Sequence, residues 1–118
     1  MTTDREMLEM AAKAAGYKVR WHEKWQCYVH EEPFNTDNPP TPAGQRQIWV
    51  PLSDAGDALR LAVTLRLKIE SWVDGLSACA IASFDGMAVY ERHYGDDPER
   101  ATRRAIVRVA AEIWKAMK

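Results

Sequence analysis

The sequence contains only two cysteines, Cys27 and Cys79, too few for the disulfide framework that holds a small secreted domain together. We therefore expect both to be free thiols in a reducing compartment. Neither belongs to a Cys-x-x-Cys pair, and no two of the three histidines form a His-x-x-x-His pair. Because zinc sites are usually built from such pairs, the sequence predicts no metal site.

Long apolar runs are also absent. No stretch approaches the roughly 18 apolar residues that a membrane span requires. Charged residues stand at positions 4, 5, 6 and 9, where a signal peptide needs an uninterrupted apolar segment. We therefore expect a cytoplasmic protein with no membrane partner.

A strong excess of charge and a glycine-rich segment are missing as well. The net charge of −1 gives the chain as a whole no attraction to nucleic acid or to a membrane. The six glycines are scattered at predicted turns, so no glycine-rich loop is available to hold a phosphate. The sequence predicts no cofactor.

What is present is typical of one folded domain. The 118 residues are 47% hydrophobic and 28% charged, which is ordinary for a globular protein. We expect a single α+β domain over residues 1–118, in which a small antiparallel sheet is partly covered by about three helices. The predicted order of elements is α-β-β-loop-β-α-β-β-β-α.

Local patterns place the first elements. Thr3 and Glu6 form a capping-box pattern at the start of a helix predicted over residues 4–15. Aromatic and β-branched residues alternate with polar ones over residues 17–30, which predicts two short strands joined by a turn near Glu23.

Residues 31–47 are predicted to form a long proline-rich surface loop. Four of the six prolines of the chain stand there: Pro33, Pro39, Pro40 and Pro42. Proline excludes helix and interrupts strand pairing. A loop of this length in so small a domain is either functional or mobile.

The middle of the chain begins with a short strand at residues 48–50. Ser53 or Asp54 is predicted to cap the next helix, which runs to about residue 66. This extent follows from the helical spacing of Leu59, Ala62, Val63 and Arg66. A strand follows over residues 67–73.

The last third contains the best hairpin signal of the sequence. Asp85 and Gly86 separate two alternating segments and suit the positive φ angles of a type I′ turn. Asp97 and Pro98 then open the last helix. Its predicted apolar stripe consists of Thr102, Ile106, Val109, Ala110, Ile113 and Met117.

The last helix is the most uneven part of the chain in charge. Residues 98–118 hold six basic and two acidic residues, a net charge of +4, so the remainder carries −5 of the total of −1. Arg100, Arg104 and Arg108 stand four residues apart and therefore form one stripe. Such a stripe could bind phosphates or an acidic surface. A solvated outer face is the alternative interpretation.

Five tryptophans are many for this length. Four of them, Trp21, Trp25, Trp49 and Trp72, fall in the predicted strands. Trp114 stands beside the apolar stripe of the last helix and is expected to be partly exposed, where tryptophan often marks an interface. Arg100, Arg104, Arg108 and Trp114 are therefore the candidate partner-binding residues.

No catalytic site is predicted. The pair Asp54 and Asp57, like the pair Asp96 and Asp97, could suggest acid–base chemistry. Each pair stands where a helix begins, so capping explains it more simply. Cys27 and Cys79 fall in segments typical of a core, where cysteine acts as a small hydrophobe. We do not expect an enzyme.

Two stretches carry a resemblance to a known group of proteins. They are WVPLSDAGDALRLAVTLRLKI and HYGDDPERATRRAIVRVAAEIWKAM, and both resemble small accessory proteins of tailed bacteriophages and prophages. The opening DREMLEMAAKAAGY is similar to their first helix, and the architecture is similar to that of NinX-like phage proteins. The resemblance implies a phage-encoded, non-structural protein made in an infected bacterium. It implies no catalytic residues.

Two functions follow as hypotheses from different classes. The first is a phage accessory protein, not an enzyme, that binds and modulates a host or phage protein. The alternative is a nucleic-acid-binding protein that uses the basic face of its last helix.

Overall fold

The structure is a computed structural model that describes residues 3–30, 48–74, 77–94 and 97–117. In these ranges the chain forms three helices, α1 (Asp4–Ala15), α2 (Ala55–Leu65) and α3 (Pro98–Met117). Its six strands are β1 (Val19–His22), β2 (Cys27–His30), β3 (Ile48–Trp49), β4 (Lys68–Asp74), β5 (Ser77–Phe84) and β6 (Met87–Tyr94). The α+β class and the element order are confirmed. The predicted loop at 31–47 lies outside the described residues.

The strands belong to two antiparallel sheets of three strands each, in the orders β1-β2-β3 and β4-β5-β6. The helices and both sheets contribute to one hydrophobic core. Buried aromatic residues of the first sheet, Tyr28 and Trp49, pack in that core with side chains of α1 and α2. The fold is therefore a layer of helices against two small sheets.

Helix α1 begins and ends as its sequence predicts. The side chain of Thr3 accepts a hydrogen bond from the backbone N–H of Glu6, and the Glu6 carboxylate accepts one from the N–H of Thr3. Gly16 ends the helix in the left-handed conformation, with φ of 78°. These local contacts satisfy backbone groups that a helix end leaves unpaired.

A buried aspartate fixes the corner between β3 and α2. Asp54 caps α2 by accepting a hydrogen bond of 2.7 Å from the N–H of Asp57. The buried Asp57 carboxylate in turn accepts bonds from the Val50 N–H at 2.9 Å and from Arg60 at 2.7 Å. This network sets the rotation of α2 about its axis.

The β5–β6 hairpin turns at Asp85 and Gly86, as predicted. Their φ angles are 48° and 83°, and Phe84 pairs with Met87 across the turn. Both φ angles are positive, as a two-residue type I′ turn requires.

Helix α3 packs across the inner face of the second sheet. The contact on β5 is formed by fully buried alanines, Ala78, Ala80 and Ala82. Ala101 and Ala105 of α3 are fully buried as well. Small side chains on both surfaces let the helix axis approach the sheet closely.

The apolar residues of α2 do not all face the core. Leu59 and Val63 are 61% and 67% exposed, whereas Ala58, Leu61 and Ala62 are buried. Helix α2 is apolar on more than one side, so hydrophobic spacing does not select the inner one. The bonds of Asp57 make that selection instead.

Two placements differ from the prediction. Met117 is 62% exposed, because the last turn of α3 extends beyond the buried part of the stripe. Trp25 lies in the turn between β1 and β2 and stacks on His22 with 4.2 Å between ring centroids. The turn occupies residues 23–26, which leaves Trp25 outside the strand.

Among the residues described, no helix combines the length and the apolar content needed to cross a membrane.

Candidate functional site

The three arginines of the predicted stripe lie on successive turns of α3. Arg104 and Arg108 reach toward β6, where the Glu91 carboxylate is buried. Arg104 also donates to Asp4 at the start of α1, at 3.1 Å. The stripe thus joins α3 to both β6 and α1, and its two C-terminal members are half exposed rather than free in solvent.

Glu91 is the centre of this ion-pair cluster. Its carboxylate contacts the Nε2 atom of His93 at 2.7 Å and accepts a hydrogen bond from Arg108, and Arg104 Nε lies 3.7 Å away. Burial alone would raise the pKa of Glu91 above the usual 4.5, but the hydrogen bonds from His93 and Arg108 and the charges of both arginines outweigh it. The pKa is therefore lowered, and Glu91 is charged at neutral pH.

Arg100 differs from the other two arginines. Its backbone N–H donates to the Asp97 cap at 2.9 Å, but within the described ranges its guanidinium forms no ion pair. Arg100 is therefore the member of the stripe best able to bind an external anion.

Trp114, the fourth candidate, is half-buried. Lys13 of α1 places its ammonium group 5.8 Å from the centroid of the indole ring. This position is on the α1 side of α3, and the ring is absent from the side chains that line the pockets described below.

A basic pocket of about 420 Å³ lies beside the N-terminal half of α3. Among the described residues, three arginines and one carboxylate line this pocket, which gives a net charge of +2. These lining residues are Asp4, Leu52, Ser53, Arg100, Arg103 and Arg104. Arg103 is held in place by a 2.9 Å bond from its Nε to the carbonyl oxygen of Leu52. Its other contact is Glu99, 3.8 Å away.

An aromatic pocket of about 230 Å³ adjoins the basic pocket. The two share Asp4, Leu52 and Ser53. The remaining lining of the aromatic pocket includes the side chains of Trp21, Tyr28, Trp49 and Leu8. The guanidinium of Arg5 stands 4.2 Å above the centre of the Trp21 ring.

An apolar groove of about 460 Å³ runs between α2, β4 and α3. Its floor and walls include Leu59, Ile69 and Ile106, and Arg103 and Glu99 stand among its lining residues. In the part of the chain that the structure describes, β4 pairs only with β5, so its other edge is open. Within those described residues, the groove therefore borders an edge strand that has no partner strand on this side.

Within the described structure, the residues considered for metal binding or nucleophilic chemistry do not form a cluster. Cys27 is half-buried on β2 and Cys79 is fully buried on β5, and both are free thiols. The Tyr90 hydroxyl donates to the Cys79 sulfur at 3.6 Å. Within the described ranges, no three His, Cys, Asp or Glu side chains are close enough together to hold a metal ion.

Sequence reasoning missed the roles of Glu91 and Arg103. One signal for Glu91 was available: it alternates with Val89 and His93 along β6, which places all three on one face of the sheet. A carboxylate on an inward face requires a partner, and the arginine-bearing helix is the element that supplies it. No comparable sequence signal marks Arg103, because its contact with Leu52 joins residues 51 positions apart.

Comparison with protein-family models, with curated proteins and with solved structures finds no match to this chain.

Proposed function

We propose that this protein is a phage-encoded accessory factor, not an enzyme, that acts in the host cytoplasm by binding and modulating a host or phage protein. Its resemblance to small accessory proteins of tailed phages supports the origin. The observation that carries the binding function is the apolar groove beside α2.

The groove has the properties of a protein-binding surface. Leu59 and Val63 are one turn apart on α2, and both are more than half exposed. Leu59 lines the groove and Val63 extends the exposed apolar surface next to it, an arrangement typical of interaction sites. Among the described residues, β4 has no partner strand on its outer edge, and an extended segment can pair with the backbone groups there. The partner is therefore proposed to place such a segment along β4, with an apolar side chain between Leu59 and Ile106.

The experiment compares two substitutions of exposed apolar residues. Leu59→Glu changes the groove, whereas Met117→Glu changes a residue of equal exposure at the end of α3. Tagged forms of the wild type and both variants are purified from uninfected and phage-infected bacteria, and stoichiometric partners are identified by mass spectrometry. Thermal melts confirm that all three forms are folded.

We expect the wild type and Met117→Glu to retain the same partner and Leu59→Glu to lose it. A complex is then reconstituted from purified components to measure its Kd. Absence of a stoichiometric partner from both lysates contradicts the proposed function. Retention of the partner by Leu59→Glu contradicts the groove as its site.

Binding of nucleic acid through the basic face of α3 is the second candidate. The observation that favours it is the Arg100 guanidinium, which forms no ion pair with another described residue and stands among described lining residues of net positive charge. Arg104 is a poor residue for the test, because its substitution also breaks contacts with Asp4 and Glu91. We expect Arg100→Glu to abolish binding of a DNA or RNA oligonucleotide, and wild-type affinity to fall steeply with salt. Affinity that is independent of salt contradicts this candidate.

A further inference from the structure

The basic and aromatic pockets lie side by side and share three lining residues. The basic pocket offers guanidinium groups and the aromatic pocket offers aromatic rings, and Asp4 lines both pockets. This combination selects for a ligand that has an anionic group at one end and a flat ring at the other.

We propose that the two pockets form one binding site for a small phosphorylated ligand with a planar ring, of the nucleoside monophosphate class. The phosphate occupies the basic pocket and the ring occupies the aromatic pocket. This site is independent of the proposed protein-binding groove, which has a different lining except for Arg103.

The basic pocket is suited to a phosphate dianion. The described lining residues carry a net charge of +2, opposite in sign and close in size to the charge of a phosphate monoester at neutral pH. Guanidinium groups bind phosphate oxygens with paired, charge-assisted hydrogen bonds.

Two of the guanidinium groups are already positioned. Arg103 is only 15% exposed and is anchored on the Leu52 carbonyl through Nε. Arg104 is anchored on Asp4. Little side-chain freedom is then lost on binding, which favours affinity. Arg100 is the third guanidinium of the lining, and within the described residues it forms no ion pair that would compete with the ligand.

The aromatic pocket is suited to a nucleobase. Trp21 is half-buried, and a guanidinium already stacks on its face. Planar rings stack on tryptophan and on the guanidinium of arginine alike. Arg5 covers that face of Trp21, and the Tyr28 ring also contacts Trp21, with 5.1 Å between ring centroids. A base that enters this pocket therefore stacks on the Arg5 guanidinium, which Trp21 supports.

Asp4 lies where a sugar would join the two groups. Its Oδ1 accepts the bond from Arg104, and within the described residues no hydrogen bond reaches Oδ2. A carboxylate oxygen accepts hydrogen bonds from hydroxyl groups. Oδ2 is thus available to the ribose hydroxyls, while the pairing of Oδ1 with Arg104 reduces repulsion of the phosphate.

The test is a calorimetric titration of the purified protein with inorganic phosphate, adenosine, the four ribonucleoside monophosphates and a short single-stranded oligonucleotide. We expect at least one monophosphate to bind at least tenfold more tightly than phosphate or adenosine. Arg100→Gln should lower the affinity for that monophosphate by about tenfold to a hundredfold, the range expected for loss of a hydrogen bond to a charged group. Trp21→Leu should lower the affinity for the monophosphate and leave the affinity for inorganic phosphate unchanged.

Lys115→Gln is the matched control, since it removes a positive charge from the same helix outside both pockets. It should leave the affinity unchanged. The proposal is overturned if no monophosphate binds below about 10 mM, if phosphate binds as tightly as every monophosphate, or if Arg100→Gln is without effect. Tighter binding of the oligonucleotide than of any monophosphate also overturns it, in favour of a nucleic-acid site. None of these outcomes depends on the partner of the apolar groove.

Discussion

Glu91 on β6 and Arg108 on α3 form an ion pair in which the carboxylate is buried and the guanidinium is half exposed. The pair ties the edge strand of the second sheet to the helix that covers it. Because the Arg108 guanidinium also donates to the carbonyl of Tyr90, it bonds both the side chain and the backbone of β6. The arginine stripe thus has a structural role in addition to any role in binding.

Glu91→Gln should destabilise the protein by about 1–3 kcal/mol at pH 7, since it weakens hydrogen bonds to charged groups. The lowered pKa of Glu91 gives this loss a pH dependence. A carboxylate whose pKa is lowered by folding stabilises the folded state above its ordinary pKa of about 4.5, and this contribution is lost as pH falls through the lowered value. The difference between wild type and variant should therefore shrink below about pH 4.5.

Urea unfolding of both proteins between pH 3 and pH 7 measures that difference. Glu112→Gln, which changes an exposed carboxylate on α3, is the control and should cost less than about 0.5 kcal/mol throughout. A loss for Glu91→Gln that is constant down to pH 3 would be inconsistent with the ion pair.

Asp57→Ala should lower the free energy of unfolding by about 2–4 kcal/mol. This is more than the roughly 1 kcal/mol expected for loss of the helix cap in Asp54→Ala. The reason is that Asp57 is buried and its removal leaves the Val50 N–H without its partner. Chemical denaturation of the two variants gives the comparison. Equal losses would show that the carboxylate acts only at the helix end.

Most of the fold was predictable because its determinants are local. The capping box of Thr3 and Glu6, the cap at Asp54 and the turn at Gly86 each depend on residues within a few positions of one another. Such signals act independently of the rest of the chain, because they satisfy the hydrogen-bonding groups of the backbone locally. Element order and boundaries follow from them.

Less of the candidate site was predictable, because its contacts join distant residues. The arginine stripe was visible as a period of four, but its partners Asp4 and Glu91 come from two other elements. Likewise, the outward position of Leu59 follows from the bond between Asp57 and Val50 and not from the apolar pattern of α2. Which side of an element faces the core is a tertiary property when both sides are apolar.

Gly86→Val should destabilise the protein by about 1–2 kcal/mol, because a β-branched residue resists the φ of 83° at this position. A Cβ added there meets no atom within 4 Å, so backbone strain alone accounts for the loss. Gly86→Asn is the control, since asparagine tolerates positive φ, and it should cost less. In thermal melts about 4 °C corresponds to 1 kcal/mol for a domain of this size. Equal melting temperatures for wild type and Gly86→Val would refute the strain at the turn.

Helix α3 offers a direct comparison between a buried and an exposed apolar side chain. Ile106 is buried at 3% exposure within the core, whereas Met117, in the last turn of the same helix, is 62% exposed. Ile106→Ala should cost about 2–5 kcal/mol, through lost burial and the cavity that remains. Met117→Ala should cost less than about 0.5 kcal/mol, because alanine preserves the helix and little apolar surface returns to water. Urea unfolding measures both, and a larger loss at Met117 than at Ile106 would mean that α3 packs on the sheet through a different face.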